Sequence, residues 1–189
     1  MKLFIDTETG GLDPQVHSLL TIGLCAVNED GKIIDYLQVG IKHDTYVVSS
    51  QALSVNNINL CSLNTTKADA FKMINNFINC YFKSSKIQIA GHNVNFDIGF
   101  LKHFWNENIK EIPEYLDPKE YNKVFDYHYT DTMQIAQFLK DCGVLKIKNV
   151  KLATLCEELG IVNQNAHTAL SDAMATVEVY NKMMKLIKK

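Results

Sequence analysis

The sequence predicts an α/β fold, a mixed sheet flanked by helices, in one domain spanning residues 1–189. Three observations carry that reading. Three apolar segments come first, at Lys2–Asp6, Leu19–Val27 and Lys32–Gly40, and the turn residues Asn28-Glu29-Asp30-Gly31 between the last two make them a strand meander. After Thr65, stretches of helical spacing alternate with a short buried run at Ile87–Ala90. No internal repeat or linker-like stretch divides the chain, whose length fits one domain.

The elements follow in order. Thr65 to Phe82 places Ala70, Phe71, Ile74, Phe77, Ile78 and Tyr81 on one helical face. Ile87–Ala90 reads as a buried strand closed by Gly91, and Asn95 as the N-cap of a helix carrying Ile98, Leu101, Phe104 and Trp105. Residues 107–129 hold two of the three prolines and many charges, which predicts an irregular surface insertion. Thr130 or Asp131 would cap a helix through Leu139. Leu152, Leu155, Cys156 and Leu159 mark another that stops at Gly160. A last helix carries Ala169, Ala173, Val177, Tyr180, Met184 and Ile187 on one stripe and runs into a lysine-rich tail.

Composition narrows the functional classes. A chain of this length buries about 70% of its unfolded surface and needs no covalent staple. The five cysteines are scattered without a CxxC pair, which argues for free thiols in a reducing compartment and against a zinc site. No run of signal-peptide or membrane-spanning character is present, so the expected location is cytoplasmic. All 19 basic residues are lysine and the net charge is −2. A protein that held duplex nucleic acid by phosphate neutralisation would be basic, and bidentate guanidinium contacts are excluded. Any nucleic-acid end must be held by metal ions and backbone groups instead.

Three segments carry the chemistry: Asp6-Thr7-Glu8-Thr9, Asn93-Val94-Asn95-Phe96-Asp97 and His167-Thr168-Ala169-Leu170-Ser171-Asp172. Asp6 and Glu8 are two apart at the end of an extended run, so both carboxylates point to one face while Thr7 points away. The glycines after Thr9 allow close backbone approach. Asp97 falls in the first turn of its helix, where the dipole favours an acid. Asp172 borders the apolar stripe of the last helix, where an unpartnered carboxylate is costly. His167 and Asp172 would lie about 140° apart on one continuous helix. They serve one site only if His167 lies in the preceding loop, with Thr168 as N-cap. Each segment alone has a bland alternative: a solvated turn acid, a helix-dipole acid, a surface histidine. Together they describe four carboxylates around one pocket. Each pair would repel by roughly 3 kcal/mol at about 5 Å, and the cluster persists only with cations to neutralise it. Oxygen-only ligands select Mg²⁺ or Mn²⁺, two of which about 4 Å apart can clamp a phosphodiester. A neutral histidine beside them can take the proton of the attacking water.

Asp6-x-Glu8, His92-Asn93-x-x-Phe96-Asp97 and His167-x-Ala169-x-x-Asp172-Ala173 resemble the three motifs of the DEDDh (DnaQ-like) 3′→5′ exonucleases. Asp131-Thr132 and the Leu152–Ile161 segment also resemble that family, so the likeness runs from about Leu3 to Tyr180. It implies a ribonuclease H-like fold with a central five-stranded mixed sheet. Asp6, Glu8, Asp97 and Asp172 would bind two Mg²⁺ or Mn²⁺ ions, with His167 as general base. Thr7, Thr9, Gly10 and Leu12 would meet the 3′-terminal nucleotide, Thr9 and Gly10 through backbone bonds to its sugar and Leu12 against its base. His92, Asn93 and Phe96 would line the far side. Asp131 is outside the family's ligand set and reads as a capping acid. Where many relatives carry an arginine after the Asp-Thr pair, this chain has Met133-Gln134-Ile135-Ala136-Gln137.

The expected activity is release of nucleoside 5′-monophosphates from single-stranded 3′ ends, DNA before RNA. A polymerase on a separate chain is the expected partner if the role is proofreading, and oligoribonuclease-type trimming of RNA is the alternative. A non-catalytic binding module would have lost a ligand or the base, and a ribonuclease H-type endonuclease needs a basic duplex-binding surface. Lys146, Lys148, Lys151, Lys182, Lys185, Lys188 and Lys189 offer a strand-steering surface or, more simply, solvated helix faces.

Overall fold

The computed structural model describes residues 1–83, 86–111 and 119–187. Part of the expected insertion, residues 112–118, and the tail lysines Lys188 and Lys189 lie outside the described residues. Strands β1 (Lys2–Thr9), β2 (Leu19–Val27) and β3 (Ile33–Lys42) form the antiparallel meander. Helix α1 (Ser50–Asn56), a 3-10 turn and the short β4 (Thr65–Thr66) lead into α2 (Lys67–Tyr81). Then come β5 (Ile87–Gly91), α3 (Asn95–Asn108), a second 3-10 turn at Ile109–Glu111, α4 (Tyr121–Val124) and β6 (Phe125–Asp131). Helices α5 (Thr132–Asp141), α6 (Leu152–Leu159) and α7 (Ala169–Ile187) complete the described order. The sheet order is β4-β3-β2-β1-β5-β6, with β5 parallel to both β1 and β6. The expected five-stranded sheet is thus six-stranded, extended at one edge by the two residues of β4.

The pleat of β1 sorts the molecule into two layers. Leu3 and Ile5 face α2 and α3, in the core that includes Phe71, Ile74, Phe104 and Trp105. Phe4 faces the other way, packing with Ala173 and Val177 of α7 and edge-on to Tyr180 at 5.6 Å between ring centroids. Behind α7, Ala136, Leu139, Leu155 and Met183 form a second core with α5 and α6, completed by the loop residues Leu145, Ile147 and Ile161. By the same alternation, Asp6 and Glu8 emerge on the α7 face and Thr7 on the α3 face. Gly23 of β2 pairs with Asp6. A Cβ there would come within 2.4 Å of the Ala169–Leu170 backbone, so this glycine lets the start of α7 lie against the sheet beside Asp6.

Two local expectations need correction. Asn95 is the first residue of α3 rather than its cap; Val94 precedes it in helical backbone with no side-chain cap bond. The chain enters α3 through Asn93, whose φ of 59° makes the turn. Residues 107–129 are not wholly irregular: they hold the end of α3, a 3-10 turn, α4 and most of β6. β6 is a sheet edge in which only Phe125 is buried and Tyr127 is 81% exposed. Phe125, Tyr127 and Tyr129 do alternate with polar residues, but they follow a charged, proline-containing stretch and so read as part of the insertion. Helix α1 was also not foreseen. Its seven residues bury only Asn56, so they leave no periodic signal beyond the cap Ser49, which accepts from the Ala52 N–H. The caps at Asp131 and Gly160 are as expected, with φ 62° at Gly160.

Candidate active site

Asp6 and Glu8 leave the second half of β1, and Asp172 sits in the first turn of α7. One ligand oxygen from each of the three lies within 4.8 Å of the others. Asp97 is not in that set. It comes from the opposite layer, is 4% exposed, and one carboxylate oxygen accepts from the Thr7 hydroxyl at 2.7 Å. Thr7 therefore points away from Asp6 and Glu8, as the pleat requires, and its hydroxyl serves the fourth carboxylate.

Burial and mutual repulsion dominate the electrostatics. Burial first, then the charges of Asp97, Asp172 and Glu8, hold the Asp6 carboxyl well above the usual range. Glu8 is pushed from 4.5 to about 8, by burial and then by Asp172 and Asp97. Asp97 is pushed up to about 7 by burial, against the opposing Thr7 hydrogen bonds. Among the described residues none of the four acids forms an ion pair. An oxygen-only donor set with uncompensated charge suits a hard divalent cation. Asp6, Glu8 and Asp172 fit such an ion as they stand, with Asp97 adjoining.

His167 lies outside α7, in the loop before it, with φ 69°. Its backbone N–H donates to Asp172 Oδ2 at 3.1 Å. The side chain is solvent-exposed, and among the described residues its ring forms no hydrogen bond. The Thr168 carbonyl accepts from the Asp172 N–H at 3.0 Å, while its hydroxyl turns back to the Asn165 carbonyl.

A cleft of about 240 Å³ adjoins the carboxylates. Thr7, Glu8, Thr9, Gly11, Leu12 and Phe96 line one part of it. Ala52, Val55 and Asn56 of α1 form the facing wall. Leu12 is 83% exposed at the lip. Three other expected substrate contacts do not line this cleft. The Gly10 N–H donates to the Ser18 carbonyl and its carbonyl accepts from the Ser49 N–H, so that glycine serves internal packing. The His92 ring contacts the Thr132 hydroxyl, and the Asn93 N–H donates to Asp131 Oδ1. The same Asp131 oxygen accepts from Met133 N–H, so one acid caps α5 and pins the loop before α3.

Two contributors escaped the sequence reading. Asn56 closes the cleft by donating from Nδ2 to the Thr9 carbonyl at 3.2 Å, and it belongs to a helix without a periodic signal. Asn163 donates from Nδ2 to Asp172 Oδ1 at 2.6 Å, from a segment with no regular structure. Its spacing of nine from Asp172 matches no helical or strand period.

Comparison with known proteins gives the family. The RNase T exonuclease family profile matches residues 3–180. The PolC-type DNA polymerase III of Thermotoga petrophila is 29% identical over 185 residues, 98% of this chain, and that of Clostridium perfringens is 26% identical over 185 residues, 97% of this chain. This chain spans only 12% and 11% of those two polymerases. Among solved structures, the E. coli ExoI–ssDNA complex superposes with a TM-score of 0.79 at 19% identity, covering 98% of this chain and 41% of that one. Exonuclease I of Methylocaldum szegediense gives 0.76 at 18% identity, covering 97% of this chain and 40% of that one. The matched residues span nearly the whole chain and include all three acidic segments, and the chain belongs to this exonuclease family, which is DnaQ-like and lies in the ribonuclease H-like superfamily.

Proposed function

We propose that the protein is a divalent-metal-dependent 3′→5′ exonuclease that shortens single-stranded DNA and releases nucleoside 5′-monophosphates. The observation that carries this is the convergence of Asp6, Glu8 and Asp172 within 4.8 Å beside an open cleft. DNA is favoured over RNA because the similar proteins are DNA polymerases and an exonuclease bound to ssDNA. The same polymerases suggest proofreading, with a polymerase presenting the mismatched end.

Each part of the chain then has a task. Asp6, Glu8, Asp172 and Asp97 hold Mg²⁺ or Mn²⁺, which would supply positive charge against the scissile phosphate. Thr7 keeps Asp97 turned toward the site. The terminal base enters between Leu12 and Phe96, where stacking contributes about 1–3 kcal/mol whatever the sequence. Thr9 closes the pocket floor through its bond to Asn56. His167, in the exposed loop beside Asp172, takes the proton of the attacking water as the strand arrives.

The test uses matched 5′-labelled single-stranded DNA and RNA oligonucleotides with Mn²⁺, Mg²⁺ or EDTA. The expected result is a ladder shortening from the 3′ end, abolished by EDTA and faster on DNA. Faster cleavage of RNA would move the protein to RNA trimming. Metal-independent cleavage, or products shortened from the 5′ end, would contradict the proposal.

A further inference from the structure

Both oxygens of Asp172 are held by the segment that precedes its helix. Oδ1 accepts from Asn163 Nδ2 at 2.6 Å, and Oδ2 accepts from the His167 N–H at 3.1 Å. An ionised carboxylate has about four lone-pair positions. These two bonds use one on each oxygen and leave the others free, with one Asp172 oxygen within 4.8 Å of those of Asp6 and Glu8.

The Asn163 amide is itself fixed in direction. Ser171 Oγ donates to Asn163 Oδ1 at 2.6 Å. A reversed amide would bring its oxygen against the Asp172 carboxylate at the same short distance. Ser171 and Asp172 both belong to the first turn of α7. Asn163 thus joins the preceding loop to the helix by two side-chain bonds, and that loop carries His167 in left-handed backbone, which is strained for a residue with a side chain.

We propose that Asn163 is a positioning residue: its carboxamide, aligned by Ser171, aims Asp172 at Asp6 and Glu8 and ties down the loop that presents His167. The inference rests on the metal-dependent reading above. Groups that orient metal ligands typically change metal affinity or activity by about 10–100-fold when removed.

The test is calorimetric titration of the full chain with Mn²⁺, alongside thermal melts in EDTA and single-turnover cleavage at saturating Mn²⁺. Asn163→Ala should weaken Mn²⁺ binding by about tenfold. Asn163→Asp, of the same shape but with the donor replaced by an acceptor, should weaken it by up to about 100-fold. Ser171→Ala should lower affinity by a smaller factor at an unchanged melting point. At saturating Mn²⁺, Asn163→Ala should still cleave more slowly than wild type, because the His167 loop has lost its tie. Wild-type affinity in both Asn163 variants would overturn the proposal. If those variants fail to fold, Ser171→Ala decides, and wild-type affinity with wild-type cleavage there overturns it. A wild-type protein that binds no Mn²⁺ would instead sink the metal-dependent function itself, and the inference with it.

Discussion

The four acids of the site divide into a strand pair and a helix pair, and the two pairs are held differently. Asp6 and Glu8 sit on one face of β1. Among the described residues their carboxylates have no hydrogen-bond donor and no ion-pair partner, and both are pushed up by burial and by neighbouring acids. Asp97 and Asp172 sit in the first turns of α3 and α7, and each accepts from a neighbour's side chain, Thr7 and Asn163 respectively. The helix pair is oriented by the protein, while the strand pair is left for a cation to satisfy. That division tells which residues set the geometry and which carry the electrostatic strain.

The largest effect that would break this comparison is loss of a strand acid. Asp6→Asn should abolish cleavage. It should also raise the melting point of the EDTA-treated protein, by about 2–4 °C for each kcal/mol of relieved repulsion, and remove the stabilisation by Mn²⁺. An unchanged melting point with retained turnover would take Asp6 out of the site.

Next comes the base. His167→Ala should slow single-turnover cleavage by about 10²–10⁴, the range for a general base, while Mn²⁺ affinity survives. Loss of affinity instead would show that His167 acts by binding metal.

A smaller effect is the pH dependence of the metal-free protein. Glu8 is raised from 4.5 to about 8 and Asp97 from 3.8 to about 7, so the folded state holds protons that the unfolded state releases. The stability tied to those protons is complete below the unfolded values and is lost as pH rises through the folded ones. Melting in EDTA should therefore fall between about pH 5 and pH 8. Saturating Mn²⁺ should cancel the fall, since metal binding favours the deprotonated acids. A flat EDTA profile across that range would contradict the buried-charge account.

The smallest effect sharpens the other side of the comparison. Thr7→Val keeps the shape but removes the donor to Asp97. It should cost about 1 kcal/mol of stability and reduce cleavage by roughly tenfold or less. A null result in both stability melts and single-turnover rates would show that the helix dipole alone suffices to place Asp97.

What the sequence reveals and what it conceals follow from periodicity. Asp6 and Glu8 are legible because a period of two on an apolar strand forces them together. Asp172 is legible because it borders a helical stripe, and His167 through its place in the motif that resembles the DEDDh family; the structure puts it in the loop before α7. The buried strands and long helices show for the same reason. The short helix α1 buries too little to leave a pattern, and with it goes the wall of the cleft formed by Ala52, Val55 and Asn56. Edge strand β6 does alternate, at Phe125, Tyr127 and Tyr129, but its mostly exposed residues follow a charged stretch and merge with it. Gly10 reads as a ligand-facing glycine, yet its backbone bonds to Ser18 and Ser49, contacts made at long range. Asn163 is invisible for a related reason: its partners Ser171 and Asp172 are set by how a loop folds back onto a helix.

The central claim is that the carboxylates at the end of β1 form a cation site. Anomalous scattering from crystals grown with Mn²⁺ tests it most directly. The account predicts a strong peak bonded to Asp6, Glu8 and Asp172, which Asp6→Asn weakens or removes. Ordered crystals at saturating Mn²⁺ with no peak among these carboxylates would contradict it.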